Sequence, residues 1–247
     1  MALFRRQRLT IVSLLLYWPA IFVFAHIPIP RLVYRAHVSD KILHYLTYLV
    51  LVFLLWFAIS PDKRVNWRKA AVWWILFVVA WYGVADELLQ ARVGRTSDVM
   101  DFLANLAGAL TGFILFTFFT FWPGFLVVTG VAIFLLTNLA RANIAELLPV
   151  TSIMFYLFAY AFFTMLWIRY MNLFLSLKAP QPKWLFGALV VPIAFLLTVK
   201  LFSVILGRNF SVQNVIISAI GIGGVVIVIF LTALFRRRFS QIRSAGT

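Results

Sequence analysis

The sequence contains no cysteine and few acidic residues, since only 7 of its 247 residues are Asp or Glu. The absence of cysteine excludes disulfides, thiolate catalysis and cysteine-ligated metals. Charged residues of both signs make up only 12% of the chain, whereas hydrophobic residues make up 64%. An ordinary soluble domain has about 25% charged residues, so this chain is too apolar to fold around a core in water.

Apolar runs near twenty residues long recur along the chain, and each is about long enough to cross the hydrocarbon core of a bilayer. They are continuously apolar, whereas the strands of a membrane β-barrel alternate between apolar and polar residues. The sequence therefore predicts an all-α fold, a polytopic membrane helix bundle with about eight transmembrane helices. The predicted spans are Leu9–Ala25, Asp40–Ile59, Ala70–Gln90, Asp98–Phe121, Phe125–Ala140, Leu148–Ile168, Trp184–Phe202 and Val212–Phe235.

The distribution of Lys and Arg predicts the orientation of the bundle, because basic residues are enriched in cytoplasmic loops. With the N-terminus inside, basic clusters fall on cytoplasmic faces near residues 5–8, 63–69, 169–183 and 236–243. Both termini are then cytoplasmic. The formal net charge of +15 is explained by topology and anionic lipid headgroups. We expect no nucleic-acid partner, since no aqueous domain carries a basic, base-stacking surface.

Four of the seven acidic residues lie within sixteen positions, at Asp86, Glu87, Asp98 and Asp101. Helical periodicity places polar residues on one face of each of three spans, near the outer end of the bundle. These faces carry Asp40, Lys41 and His44 in the second span, Asp86, Glu87 and Gln90 in the third, and Asp98, Asp101 and Asn105 in the fourth. The sequence predicts that the three faces lie together.

Several of these residues also have a purely structural explanation. Asp98 is well placed to cap the fourth span, and Asp40 is expected to act as a cap at the start of the second. We expect Asn105 to form hydrogen bonds between helices, and Gly108 and Gly112 to permit close helix packing.

Asp86 and Glu87 lie in the last turns of the third span, where the helix dipole disfavours negative charge. The nearest candidate cations are Lys41, Arg92 and Arg95, and a buried ion network among them is one interpretation. Ionisable groups at membrane depth are functional candidates by default. We therefore favour a functional role for Glu87 and Arg95 and leave the role of Asp86 open.

His44 lies one helical turn after Asp40, so it can act as a general acid or base or can be a hydrogen-bonded interfacial histidine. We expect no His-rich zinc site, since His26 and His37 have no partner at ligand spacing. A Mg²⁺ or Ca²⁺ ion held by the carboxylates stays open, although no loop signature supports it and no residue is assigned as a metal ligand. The sequence does not identify a cofactor.

The order Asp40-Lys41-x-x-His44, Glu87-x-x-Gln90 and Gly94-Arg95-x-x-Asp98-x-x-Asp101-x-x-x-Asn105 resembles the VanZ-like family of small bacterial membrane proteins. The resemblance covers roughly Leu9 to Phe121. Family members are associated with low-level resistance to the lipoglycopeptide teicoplanin. The resemblance implies that the polar residues named in this order match the family's polar positions. It also implies a VanZ-like four-helix domain over residues 1–121 and an accessory four-helix membrane region over residues 122–247.

Three functions remain open at this stage. The first is binding or remodelling of cell-envelope lipids or lipid-linked precursors in the bacterial cytoplasmic membrane, with Arg95 holding a phosphate or carboxylate. Lys41, Asp40, Gln90, Asp98 and Asn105 are the other candidate ligand-binding residues. The second is an enzyme in which Glu87, Asp101 or His44 is the acid or base. The third is a lipid transporter or flippase, which the polar stripe of the fourth span disfavours because it stops halfway.

Overall fold

A computed structural model describes residues 5–26, 39–92, 98–139, 149–208 and 210–245. Within these ranges the chain is helical and contains no strand. Eight described helices are each long and apolar enough to cross a membrane, so the predicted fold class and number of spans are confirmed. They are α1 (Arg5–His26), α2 (Asp40–Ile59), α3 (Ala70–Arg92), α4 (Val99–Phe118), α5 (Phe121–Asn138), α6 (Pro149–Phe174), α7 (Pro182–Ile205) and α8 (Val212–Ala245).

The helices extend beyond several of the predicted spans. α1 begins at Arg5, and α8 continues through Arg236, Arg237 and Arg238. The predictions covered only the apolar residues, whereas a helix continues into the interface as long as its backbone hydrogen bonds are made. α5 begins at Phe121, and Pro123 lies in its first turn, where a missing N–H costs no helical hydrogen bond.

The chain divides into two compact units, Met1–Asn143 and Ile144–Thr247. α1 to α5 belong to the first unit, and α6 to α8 belong to the second. α5 therefore lies in the same compact unit as the four preceding helices. The division into sequence domains 1–121 and 122–247 concerns family regions and stays a prediction.

α2 is the central helix of the first unit. Its side chains Leu49, Val52 and Phe57 are almost completely buried. They form an apolar core with Phe113 and Phe116 of α4 and with residues of α1, α3 and α5. A helix that is surrounded by other helices is expected to be apolar on all sides, and most of α2 is apolar in this way.

Gly108 lets α4 approach the backbone of α2 closely. A Cβ atom added at Gly108 would lie 2.1 Å from the Tyr45 carbonyl oxygen, closer than any van der Waals contact permits. At Gly112, one turn further along, an added Cβ would lie 3.1 Å from Val52 Cγ1. The predicted packing role of these two glycines is confirmed.

Specific hydrogen bonds connect the chain segments around the C-terminus of α2. Trp56 Nε1 donates to the Lys63 carbonyl oxygen over 2.8 Å, and the Val65 N–H donates to the Phe116 carbonyl oxygen over 2.8 Å. The Arg6 guanidinium lies 2.6 Å from an Asp62 carboxylate oxygen. The start of α1 and the α2–α3 connection therefore lie at the same end of the unit.

The second unit consists of α6, α7 and α8. Its buried side chains include Tyr160, Trp184 and Ile222. Lys200 is also buried, and its ammonium lies 4.4 Å from the centroid of the Tyr156 ring. This arrangement provides a cation–π contact for a charge that lies within an apolar helix.

Candidate functional site

The structure brings the three predicted polar faces together at the end of the first unit where α2 and α4 begin and α3 ends. We refer to the resulting group as the polar cluster. It consists of Asp40, Lys41, His44, Asp86, Glu87, Gln90, Asp98, Asp101 and Asn105. The residues of the polar cluster on α3 and α4, apart from Asp98, are at most 7% exposed. Polar side chains are buried to this degree only when they have hydrogen-bonding partners or ligands. Arg95, the remaining predicted site residue, lies outside the described residues.

Lys41 connects the exposed edge of the polar cluster to its buried part. Its ammonium lies 2.7 Å from Asp98 Oδ2 and 3.2 Å from Asp101 Oδ1. The side chains of Lys41 and Asp98 are 51% and 43% exposed, whereas that of Asp101 is 8% exposed. Two carboxylates on successive turns of α4 are thus held by one cation from α2.

Asp98 caps α4, as predicted. Its Oδ1 accepts a hydrogen bond from the Met100 N–H over 2.8 Å. The Lys41 ammonium and this N–H lower the pKa of the Asp98 carboxyl, since both stabilise its charged form. The predicted capping role of Asp40 is wrong, because Ser39 occupies the N-cap position and Asp40 is the first helical residue.

His44 is held between α2 and α4. Its Nδ1 donates to Asn105 Oδ1 over 3.0 Å, because a carbonyl oxygen can only accept. In the neutral ring the proton is then on Nδ1, and Nε2 carries a lone pair. Nε2 lies 3.7 Å from Asp40 Oδ1 and 3.9 Å from Asp101 Oδ2. His44 and Asn105 therefore form the expected interhelical hydrogen bond, and the other ring nitrogen faces two carboxylates.

Glu87 links the end of α3 to the start of α4. Its Oε2 accepts a hydrogen bond from the Asp98 N–H over 3.2 Å, at the positive end of the α4 dipole. This contact compensates in part for the position of Glu87 at the negative end of α3. Lys41, one of the cations expected to pair with it, binds Asp98 and Asp101 instead. Arg92 is exposed, and Arg95 lies outside the described residues.

Asp86 has partners that the sequence analysis did not foresee. Gln90 Nε2 donates to Asp86 Oδ2 over 2.9 Å. His26 Nδ1, at the end of α1, lies 3.9 Å from Asp86 Oδ1 and 2.7 Å from the Phe22 carbonyl oxygen. His26 therefore lies near a carboxylate of α3. Its partner is distant in sequence, so only the packing of α1 on α3 could reveal it.

Several buried polar atoms around the polar cluster have no hydrogen-bond partner among the described residues. They are Glu87 Oε1, Asn105 Nδ2, the Tyr48 hydroxyl and His26 Nε2. Tyr48, four residues after His44 on α2, was not predicted as a site residue. A buried polar atom without a partner costs about 1–3 kcal/mol, so each of these four groups can take a further hydrogen-bond partner.

Two triads in the polar cluster have the residue types and spacing of metal ligands. One consists of Asp40, His44 and Asp101, and the other consists of His44, Asp86 and Glu87. Within each triad the candidate ligand atoms all lie within 4.8 Å of one another. Acids and imidazoles in this arrangement can bind a cation, accept hydrogen bonds from a ligand or transfer protons.

The polar cluster and the four helices that carry or border it match a known family. Residues 6–121 match the family model described as VanZ/LLP1. The N-terminal half of this chain is therefore similar to the VanZ-like family. The predicted family resemblance is thereby confirmed, and every residue of the polar cluster lies within the VanZ-like half. No curated protein and no solved structure matches the chain.

The VanZ-like half ends where α5 begins. α5 lies in the same compact unit as the VanZ-like half but beyond the family match, and α6 to α8 form the second unit. Together with the eight apolar helices, the match supports a multi-pass VanZ-like membrane protein.

Proposed function

We propose that this protein lies in the bacterial cytoplasmic membrane and binds or remodels a cell-envelope lipid or lipid-linked precursor through the polar cluster. In the orientation predicted from Lys and Arg, the polar cluster opens to the outer leaflet. The lipoglycopeptide resistance associated with VanZ-like proteins would then follow from a change in the amount or exposure of that precursor. Both termini are cytoplasmic in this proposal.

One observation carries the proposal: exposed charges at one end of the helices continue into buried hydrogen-bonding groups that have no partner among the described residues. Lys41 is half exposed and suits a phosphate or carboxylate. Tyr48 OH and Asn105 Nδ2 lie deeper, and each can donate to a headgroup oxygen.

Apolar side chains beside the polar cluster suit the tail of such a ligand. Leu88, Met100 and Leu103 are 64%, 56% and 46% exposed on α3 and α4. In a bilayer these surfaces face acyl chains. A molecule with a polar head and an apolar tail can therefore contact the polar cluster and the adjacent helix surface at once.

Tyr48→Phe tests this proposal because it removes only one buried hydroxyl. Tyr160→Phe is a matched control, since Tyr160 of the second unit is also buried and its hydroxyl also lacks a described partner. We expect Tyr48→Phe to reduce binding of extracted envelope lipids by about tenfold, and Tyr160→Phe to bind like the wild type. Native mass spectrometry of the purified protein measures the bound lipids. Equal binding by both variants would contradict the proposal.

A second candidate function is an enzyme acting on an envelope lipid. The observation that favours it is the position of His44 Nε2 between Asp40 and Asp101, which suits proton transfer. An enzyme predicts a modified lipid that accumulates with the wild type and is absent with Glu87→Gln. Identical lipid profiles from the strains that carry the wild type and Glu87→Gln would exclude this function. Lipid binding would then be the only one of the two functions that remains.

A further inference from the structure

The polar cluster contains far more negative than positive charge among its described residues. Asp40, Asp86, Glu87, Asp98 and Asp101 supply five carboxylates, and Lys41 supplies the one ammonium. Lys41 binds Asp98 and Asp101 at the exposed edge. Carboxylate oxygens of Asp40, Asp86, Glu87 and Asp101 each lie within 4.8 Å of a ring nitrogen of His44. Buried carboxylates require a compensating charge or a proton.

His44 is oriented as a metal-ligating histidine is. Its Nδ1 donates to Asn105 Oδ1, which fixes the ring and leaves the Nε2 lone pair directed at carboxylates. Nε2 is 3.7 Å from Asp40 Oδ1 and 3.9 Å from Asp101 Oδ2. Ligand atoms around a tetrahedral ion with bonds of about 2.0–2.2 Å lie roughly 3.3–3.6 Å apart, so the ion needs only a small contraction of these distances.

Glu87 supplies an independent indication of a bound species. It is 7% exposed, and its Oε1 has no hydrogen-bond partner among the described residues. Its carboxylate, that of Asp86 and a ring nitrogen of His44 offer ligand atoms within 4.8 Å of one another. An acceptor oxygen buried beside an imidazole and other carboxylates can be satisfied by a cation but not by its acidic neighbours.

We propose that His44, together with the carboxylates of Asp86 and Glu87, binds a divalent transition-metal cation in the polar cluster. Asp40 and Asp101, which form the other triad with His44, offer further carboxylate oxygens beside it. One imidazole with several carboxylates favours Zn²⁺ or Mn²⁺, because Ca²⁺ and Mg²⁺ prefer oxygen ligands alone and the chain has no thiolate for softer ions. The sequence did not predict this site because its ligands come from three helices instead of one local motif.

Metal binding by the purified full chain tests the proposal. The protein in detergent, stripped by a chelator and free of envelope lipid, is titrated with Mn²⁺, and free Mn²⁺ is measured by its paramagnetic resonance signal. We expect saturation at about one ion per chain and competition by Zn²⁺. Glu87→Gln and His44→Gln should each weaken binding at least about tenfold. Asp62→Asn, which removes an exposed acid at the opposite end of the unit, should leave binding unchanged.

A spectroscopic measurement distinguishes loss of a ligand from loss of folding. Bound Mn²⁺ in the wild type should show magnetic coupling to an imidazole nitrogen, and His44→Gln should lack it while keeping its melting temperature. If His44→Gln does not fold, the proposal is tested by two other results. These are the coupling of Mn²⁺ to an imidazole nitrogen in the wild type and the Mn²⁺ affinity of Glu87→Gln. Absence of saturable binding by the wild type, absence of nitrogen coupling, or wild-type affinity in Glu87→Gln would overturn the proposal. Since no lipid is present, these results are independent of the proposed lipid function.

Discussion

At the scale of single residues, the members of the polar cluster have different environments and therefore different roles. Asp98 and Lys41 are exposed, and their ion pair is screened by solvent. His44 and Asn105 are buried and joined across two helices. Mutations at the exposed edge should therefore alter local structure and ligand approach, whereas mutations of the buried residues should alter binding itself.

Asp98→Ala and Asp98→Asn separate capping from charge at the start of α4. Alanine removes the acceptor for the Met100 N–H, whereas asparagine retains an oxygen acceptor and ranks with aspartate as an N-cap. We expect Asp98→Ala to lower the melting temperature in detergent more than Asp98→Asn does. Equal melting temperatures for the two variants would show that the cap does not stabilise α4.

The lowered pKa of Asp98 determines the direction in which pH changes the stability of the protein. A carboxyl whose pKa is lower in the folded state stabilises the protein above its unfolded pKa of about 3.9, and this contribution is lost as the pH falls through the folded pKa. The small stability difference between the wild type and Asp98→Asn should therefore be present at neutral pH and disappear in acid. A difference that grows in acid would contradict this assignment. Thermal unfolding across that pH range measures it.

The composition of the site could be predicted from sequence because helical periodicity fixes which residues share a face. Asp98, Asp101 and Asn105 share one α4 face for this reason, and they do meet α2. The partners of individual residues could not be predicted in this way. Lys41 binds the α4 carboxylates and not Glu87, and His26 approaches Asp86, because the rotation and approach of whole helices decide these pairs.

At the scale of helices, the close contact of α2 and α4 positions the polar cluster. Gly108 lies one turn from Asn105 and directly against the Tyr45 backbone. The sequence predicted eight spans because apolar length is a strong signal. It could not predict that α2 is central, since α7 and α8 are more apolar than α2 and only packing shows which helix is surrounded by others.

Gly108→Ala should separate α2 from α4. The added methyl group would lie 2.1 Å from a backbone oxygen, and overpacking of this kind costs about 1–3 kcal/mol or more. Gly224→Ala in α8 is the control, because nothing lies within 4 Å of its added Cβ. There the change should be neutral or stabilising by about 0.5–1 kcal/mol. Thermal unfolding in detergent measures both, and equal stability of the two variants would contradict the close approach.

At the scale of the whole molecule, the polar cluster belongs entirely to the VanZ-like half, while the second compact unit consists of α6 to α8. Further along α2 and α4 from the polar cluster, the buried residues between the two helices are apolar. Leu49, Val52 and Phe113 are among them. The polar region therefore ends within the bundle. This arrangement favours binding at one leaflet over passage of a headgroup between leaflets.

The absence of native cysteine makes the topology directly measurable. Single cysteines at Ser39 and Lys63 lie at opposite ends of α2, since they flank its start and its end. In intact cells, an impermeant thiol reagent should label the Ser39→Cys variant but should reach Lys63→Cys only after permeabilisation. The reverse pattern would place the polar cluster in the cytoplasmic leaflet.

The most direct test of the central claim is an experimental density map of the protein in a bilayer made from bacterial envelope lipids. The account predicts density for a headgroup or an ion bounded by His44, Glu87 and Asp101, with an acyl chain continuing along Leu88 or Leu103. A polar cluster without added density, closed by direct pairs between its own cations and carboxylates, would contradict the account and assign the cluster a structural role.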